Sequence, residues 1–195
     1  NAIRSWLRYL LVKRIKAYTF ARTCFRMWGI YGRVITKTGV EVVKVPEKDG
    51  SVSMQVWPTV RIVDPFYFYA YPETVSDPTR LQIMVEDFML PWDQYASLAI
   101  QGLVEPITRT DLTAPEWPNH QVRRLQQQSL TDPSSIQHTD TTADLANFVA
   151  VSEVWMRREG RWQRVWIVWN ISGGERVVRW NPRPYPVPPY RIAVA

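Results

Sequence analysis

Cysteine and histidine are nearly absent: the 195 residues hold one cysteine, Cys24, and two histidines, His120 and His138. One cysteine excludes an internal disulfide and fits a reducing compartment, or a protein assembled in one. No His-x-x-x-His or Cys-x-x-Cys spacing occurs, so the usual His/Cys metal sites are excluded. No phosphate-cradling pattern, G-x-x-x-x-G-K-[ST] or G-x-G-x-x-G, appears. No cofactor is therefore expected. Long apolar runs are lacking too. None approaches the roughly 20 residues that cross a bilayer. Arg4, Arg8, Lys13 and Arg14 interrupt the apolar start, so it does not read as a signal peptide, and no membrane partner is expected. The first residue is Asn1 rather than Met, which reads as a processed product or a section of a longer chain.

The last notable absence is of acids. Residues 1–40 hold nine Lys/Arg and no Asp or Glu, while the other residues hold 15 basic and 18 acidic side chains. The net charge of +6 thus belongs to an N-terminal arm, a pattern suited to a polyanion or an acidic partner. What is abundant is tryptophan, ten in all, with 46% apolar residues. That content excludes a disordered chain and suggests large packed surfaces, often between subunits.

Four segments follow from composition and periodicity: a basic helical arm over 1–30, a β-rich core with a short helix over 31–104, a polar insertion over 105–146, and a β meander with a Pro-rich exit over 147–195. The expected class is α+β, a basic N-terminal helix followed by antiparallel hairpins and a meander. Over residues 2–28 a 100° step places Ile3, Trp6, Leu7, Leu10, Ala17, Tyr18, Ala21, Cys24, Phe25 and Trp28 in one arc. Arg4, Arg8, Lys16, Arg22 and Arg26 fall opposite. They are the candidate DNA- or partner-contacting face, and they are also what the wet side of a packed helix looks like. Arg14 breaks the apolar arc, which leaves a bend, a division in two, or a partner for that charge. Gly29 or Gly32 should end the helix. Cys24, on the apolar side with no histidine near in sequence, reads as a structural thiol.

Residues 30–45 and 51–57 read as a hairpin turning at Pro46–Gly50, with Val52, Met54 and Val56 on one side and Ser51, Ser53 and Gln55 on the other. The central stretch is VWPTVRIVDPFYFYAYP, residues 56–72. Its β run is broken by Pro58 and turns at Asp64-Pro65. Five aromatics in six residues, Phe66, Tyr67, Phe68, Tyr69 and Tyr71, should be packed. After a polar turn over 74–79, Leu81–Met89 reads as a strand with Leu81, Ile83 and Val85 set against Gln82, Met84 and Glu86. Leu90-Pro91 ends it, and a short helix runs to about Gly102 with Asp93 in its first turn. The insertion reads as exposed, with a helical piece around Gln121–Gln128. Asn147–Arg158 and Arg161–Asn170 flank a Glu159-Gly160 turn. Trp162, Trp166 and Val168 alternate with Val165, Ile167 and Trp169, so both faces should be buried, within the chain or by a neighbouring subunit. A third strand covers Arg176–Trp180. The five prolines after it should be extended and lead away from the sheet.

Glu86, Asp87 and Asp93 are the only dense acids beside apolar segments. A Mg²⁺-dependent nuclease pair at Glu86/Asp87 is one reading; a strand end followed by a helix's first turn is the plainer one.

Together, Pro58, Val63-Asp64-Pro65-Phe66, Glu153, Trp155, Arg158, Gly160, Trp162, Asn181-Pro182 and Pro189-Tyr190 resemble the pattern of the portal proteins of tailed bacteriophages, of the short-tailed type. The likeness spans about residues 20–104 and 147–190; the insertion matches nothing in it. Portals continue beyond the Pro-Tyr exit into stem and clip helices, so the resemblance places this chain in the wing-like section. It implies a non-enzymatic, ring-forming subunit, usually of twelve copies, at one capsid vertex of the virion, assembled in the host cytoplasm. The implied partners are further copies of the chain, the major capsid protein, terminase, the head-tail adaptor and double-stranded DNA passing through the channel. On this reading Phe66, Tyr67, Phe68, Tyr69, Trp155, Trp162, Trp166 and Trp169 are candidate subunit-interface aromatics. A nucleic-acid-binding module built on the 1–40 arm is the alternative from another class.

Overall fold

The computed structural model describes residues 2–46, 52–72, 77, 80–113 and 147–194. The Pro46–Gly50 turn beyond its first residue, most of the 74–79 turn, His120, His138, the helical piece at Gln121–Gln128 and most of the insertion lie outside the described residues. The fold is α+β, with an N-terminal helix leading into antiparallel strands. Contacts divide the chain into two compact units: residues 1–65, 75–80 and 188–195 form one, and residues 66–74 and 81–187 the other.

In the first unit the N-terminal helix is two helices. Helix α1 spans Ala2–Tyr9, a π-helical turn spans Leu10–Arg14, and α2 spans Ala17–Tyr31. Lys16 divides them with a left-handed backbone, φ 51°. Of the outcomes open at Arg14, division and pairing both occur: its guanidinium stacks 4.6 Å from the Trp57 ring centroid. Gly32 (φ 66°) ends α2, its N–H donating to the Trp28 carbonyl.

Strand β1 (Arg33–Pro46) pairs antiparallel with β2 (Val52–Val63), and β8 (Tyr190–Val194) pairs on the other side of β1 through Arg33–Lys37. Here Pro58 does not break the strand. It sits opposite Val40 on β2, an outer strand of this sheet, where a missing N–H need interrupt no ladder. The expected wet face of the hairpin is also reversed: Met54 and Val56 are exposed, while Ser53, Gln55 and Trp57 are half-buried. Tyr9 and Arg14 lie against Trp57 and occupy that side.

The second unit is one five-stranded antiparallel sheet in the order β3-β4-β5-β6-β7. Its strands are β3 (Phe68–Tyr71), β4 (Ile83–Pro91), β5 (Phe148–Arg158), β6 (Arg161–Val168) and β7 (Arg176–Tyr185). Glu159 and Gly160 turn β5 into β6 with φ of 52° and 77°, the two positive values a two-residue hairpin turn needs. β7 runs past Trp180 through Asn181-Pro182 to Tyr185; it is an outer strand, and its prolines fall at one of its two register shifts, between Asn181 and Tyr185. The chain then leaves this sheet, and its last strand, β8, belongs to the other one.

Helix α3 (Trp92–Ile100) follows β4 after Pro91. The Trp92 N–H donates to the Asn147 carbonyl, and the fully buried Tyr95 joins Val104, Val149, Val151, Val168 and Val178 in the core. Residues 104–113, assigned by composition mostly to the insertion, are bound to this unit. Val104 is buried, the Glu105 N–H donates to the Val178 carbonyl, and Leu112 bridges Ile171. Asn170 ties off both ends of the segment that follows. Its side chain donates to the carbonyls of Thr113 and Phe148, each at 2.9 Å, and accepts from the Ala150 N–H at 2.8 Å.

Candidate functional site

The register of the five strands sorts their side chains into cross-strand rows. On the face that meets α3, one row reads Phe68–Glu86–Glu153–Trp166–Arg179, each residue directly opposite the next. The adjacent row reads Ala70–Met84–Trp155–Arg164–Asn181. Two carboxylates therefore face each other across β4 and β5, and each is 2% exposed. Opposed like charges cost energy in a sheet, and burial raises the cost. The neighbours offset it. The indole N–H groups of Trp155 and Trp166 donate to the two Glu153 oxygens at 2.5 and 2.8 Å. The Arg179 guanidinium lies 5.3 Å from the Trp166 ring, and Arg164 lies between the rings of Trp155 and Tyr185 at 5.7 and 5.8 Å. Burial, then the nearby Arg164 charge, lowers the pKa of Arg179.

The opposite face carries two more rows, Tyr69–Val85–Val154–Val165–Trp180 and Asp87–Ser152–Ile167–Val177. The Ser152 hydroxyl donates to Asp87 and accepts from the Trp169 indole at 2.5 Å. Burial pushes the Asp87 carboxyl up to about 6, against the opposing effect of the Ser152 hydrogen bond. The same carboxylate, after burial, raises the Tyr69 phenol.

This geometry removes the Glu86/Asp87 metal pair. Successive residues of a strand point to opposite faces, so one carboxylate faces Glu153 and the other Ser152. No group of three His, Cys, Asp or Glu side chains that could hold a metal ion occurs among the described residues. The parity of β4 is also opposite to the expected one: Met84 and Glu86 are buried while Ile83 is exposed. Leu81 is buried as well, but it precedes the strand, whose register starts after Gln82 bridges Tyr71 and Arg157 through its main chain.

The candidate aromatics separate into two groups. Phe68, Trp155 and Trp162 are 3%, 3% and 2% exposed and belong to this chain's own interior, so they are not contact surface. Phe66, Tyr67 and Trp166 are half-buried, while Tyr69 and Trp169 are exposed. The expectation that all five aromatics of 66–71 are packed fails at Tyr69 and Tyr71, because alternate residues of β3, an outer strand, reach the face of the sheet away from α3. In β6, burial at Trp162, Val165 and Val168 shows both faces partly covered, but Trp169, just past the strand, stays exposed.

Arg4, Arg8, Lys16, Arg22 and Arg26 are all exposed. Arg4 with Arg8, and Arg22 with Arg26, stand one helical turn apart, but the break at Lys16 prevents a single continuous stripe. Much of the apolar arc is exposed too, with Leu10 buried. No residue of α2 is fully buried; Tyr18, Phe25 and Trp28 are 82%, 72% and 42% exposed. Cys24 is half-buried, and burial raises its pKa, as expected of a thiol with no activating partner. Sequence reasoning placed Glu153 only in the portal-like pattern and missed its burial. Its signal was present as an acid inside the Trp-rich run SEVW, which only cross-strand pairing turns into a buried carboxylate.

No helix among the described residues is long and apolar enough to cross a membrane. No family model matches the chain, and no curated protein matches it.

Proposed function

We propose that this chain is a structural, ring-forming subunit of the portal type, built to be completed by copies of itself around a channel for double-stranded DNA. The observation that carries the reading is the imbalance of the first unit. Among the described residues it buries five hydrophobic residues and exposes fifteen large ones, whereas the second unit buries thirteen and exposes nine. A monomeric soluble domain rarely leaves so much apolar surface uncovered. Exposed Trp, Tyr, Met and Arg are what subunit interfaces are made of.

Charge supports the same reading. The first unit holds 14 basic and 5 acidic residues, and the second holds 10 and 13. Unlike surfaces favour head-to-tail contacts, which close by rotation into a ring. A channel that lets DNA slide must avoid many fixed phosphate contacts, and a modest net charge meets that need. The capsid protein, terminase and head-tail adaptor enter as partners through the portal resemblance, as does placement at a virion vertex. No enzymatic step is assigned. The nucleic-acid-binding module remains the second reading, favoured by the exposed cations of α1 and α2.

The test is the mass and symmetry of the full-length protein, by light scattering and negative-stain averaging. Closed rings with rotational symmetry, near twelve-fold, are expected. A strictly monomeric full-length protein at high concentration would sink the proposal.

A further inference from the structure

One relay of hydrogen bonds in the second unit runs from a part-buried acid to the surface. The Ser152 hydroxyl on β5 donates to the Asp87 carboxylate opposite it on β4, and accepts from the Trp169 indole N–H at 2.5 Å. Ser152 is 2% exposed, so its single proton is committed to the relay, whereas Trp169 is 46% exposed. The backbone about Trp169 is tied. Its N–H donates to the Ala150 carbonyl at 3.1 Å, and the next residue is Asn170 with its three hydrogen bonds. Only the ring is left to respond.

We propose that the relay is a proton-operated latch: ionised Asp87 holds the Trp169 ring through Ser152, and protonated Asp87 loosens it. The inference goes beyond the ring reading and does not rest on it. A hydroxyl that donates to an anion is polarised, which makes its oxygen a better acceptor for the indole. Proton uptake undoes this by either route. A proton on the far Asp87 oxygen leaves a neutral acceptor, whose hydrogen bond is roughly half as strong. A proton on the near oxygen is donated to Ser152 Oγ, where it competes with the indole N–H. Burial raises the Asp87 carboxyl to about 6, so the ring is held above that pH and loosened below it. Other titratable groups surround Asp87. Tyr69 comes from β3, with Tyr67 just ahead of it, and Glu86 lies beside Asp87 on β4 but faces Glu153. Helix α3, with Asp93, meets the other face of the sheet. The segment bonded beyond Asn170 brings Arg109 and Asp111. The Arg158–Arg161 pair is on the same face as Ser152 but six residues along β5, roughly 20 Å away.

Fluorine NMR of the full chain, grown with 5-fluorotryptophan, tests this. Of the ten tryptophan resonances, the one lost in Trp169→Phe is that of Trp169. It should move between about pH 8 and about pH 4 with a single midpoint near pH 6. Asp87→Asn should abolish the movement, and Ser152→Ala should remove most of it; circular dichroism checks that each variant is folded. A Trp169 resonance that stays still across this range in the folded chain overturns the latch. So does the same movement in folded Asp87→Asn, which would assign it to another of the groups above. Full movement in folded Ser152→Ala overturns it too, because the carboxylate would then act on the ring without the serine.

Discussion

Replacing Glu153 by Ala should be among the most damaging single changes in the second unit. The side chain is 2% exposed and accepts hydrogen bonds from two indole N–H groups, at 2.5 and 2.8 Å. A hydrogen bond to a charged group contributes about 1.5–3 kcal/mol net, and an orphaned buried donor costs about 1–3 kcal/mol. Removing the like charge opposite Glu86 returns part of that. The expected loss is about 3–5 kcal/mol, a large share of a typical domain stability of about 5–15 kcal/mol. Glu153→Gln should cost less. It keeps one acceptor for an indole and removes the opposed charge, but turns an amide N–H₂ toward the other donor. Urea unfolding followed by tryptophan emission gives both values. If Glu153→Ala costs under about 1 kcal/mol with an unchanged denaturant slope, the carboxylate is not held as described. Adding Glu86→Gln completes a double-mutant cycle, and its coupling energy measures the cross-strand repulsion directly.

Three further outcomes are expected. Asp87 has its folded pKa raised from 3.8 to about 6, so the folded chain binds a proton that the unfolded chain releases. Stability should therefore fall as pH rises from about 4 to about 6, and Asp87→Asn should flatten that slope and raise the melting temperature at pH 7; an unchanged pH profile would refute this. Asn170→Ala removes three hydrogen bonds from a residue 3% exposed and should cost about 2–4 kcal/mol in urea unfolding, whereas Asn170→Asp should fail to restore it because two carbonyls need donors. Affinity for duplex DNA should show a shallow salt dependence; a slope equivalent to several phosphates would favour the nucleic-acid-binding module.

Much of the local order was legible in the sequence. The Gly32 stop, the Glu159-Gly160 turn and the helix after Pro91 are set by residues whose backbone preferences act locally. The α+β class followed from the change of hydrophobic period between residues 2–28 and the later segments. Long-range parity was not legible. Leu81–Met89 has apolar and polar residues on both of its sides, so its alternation could not say which side is the core, and pairing with Phe68–Tyr71 and Phe148–Met156 decided it. Pro58 looked like a breaker because position within a sheet is a tertiary fact; on an outer strand it breaks nothing.

The site follows the same division. The sequence by itself determined that the chain is aromatic, basic at its start, poor in metal-binding side chains and confined to turns and strands its prolines and glycines allow. Only the tertiary structure decided that Glu86 faces Glu153 while Asp87 faces Ser152. Only it decided that Trp155 and Trp162 belong to the interior while Trp169 and Trp180 look outward. The physical reason is that a side chain's composition and period fix what it prefers, whereas the partner that satisfies it comes from a strand far away in the chain.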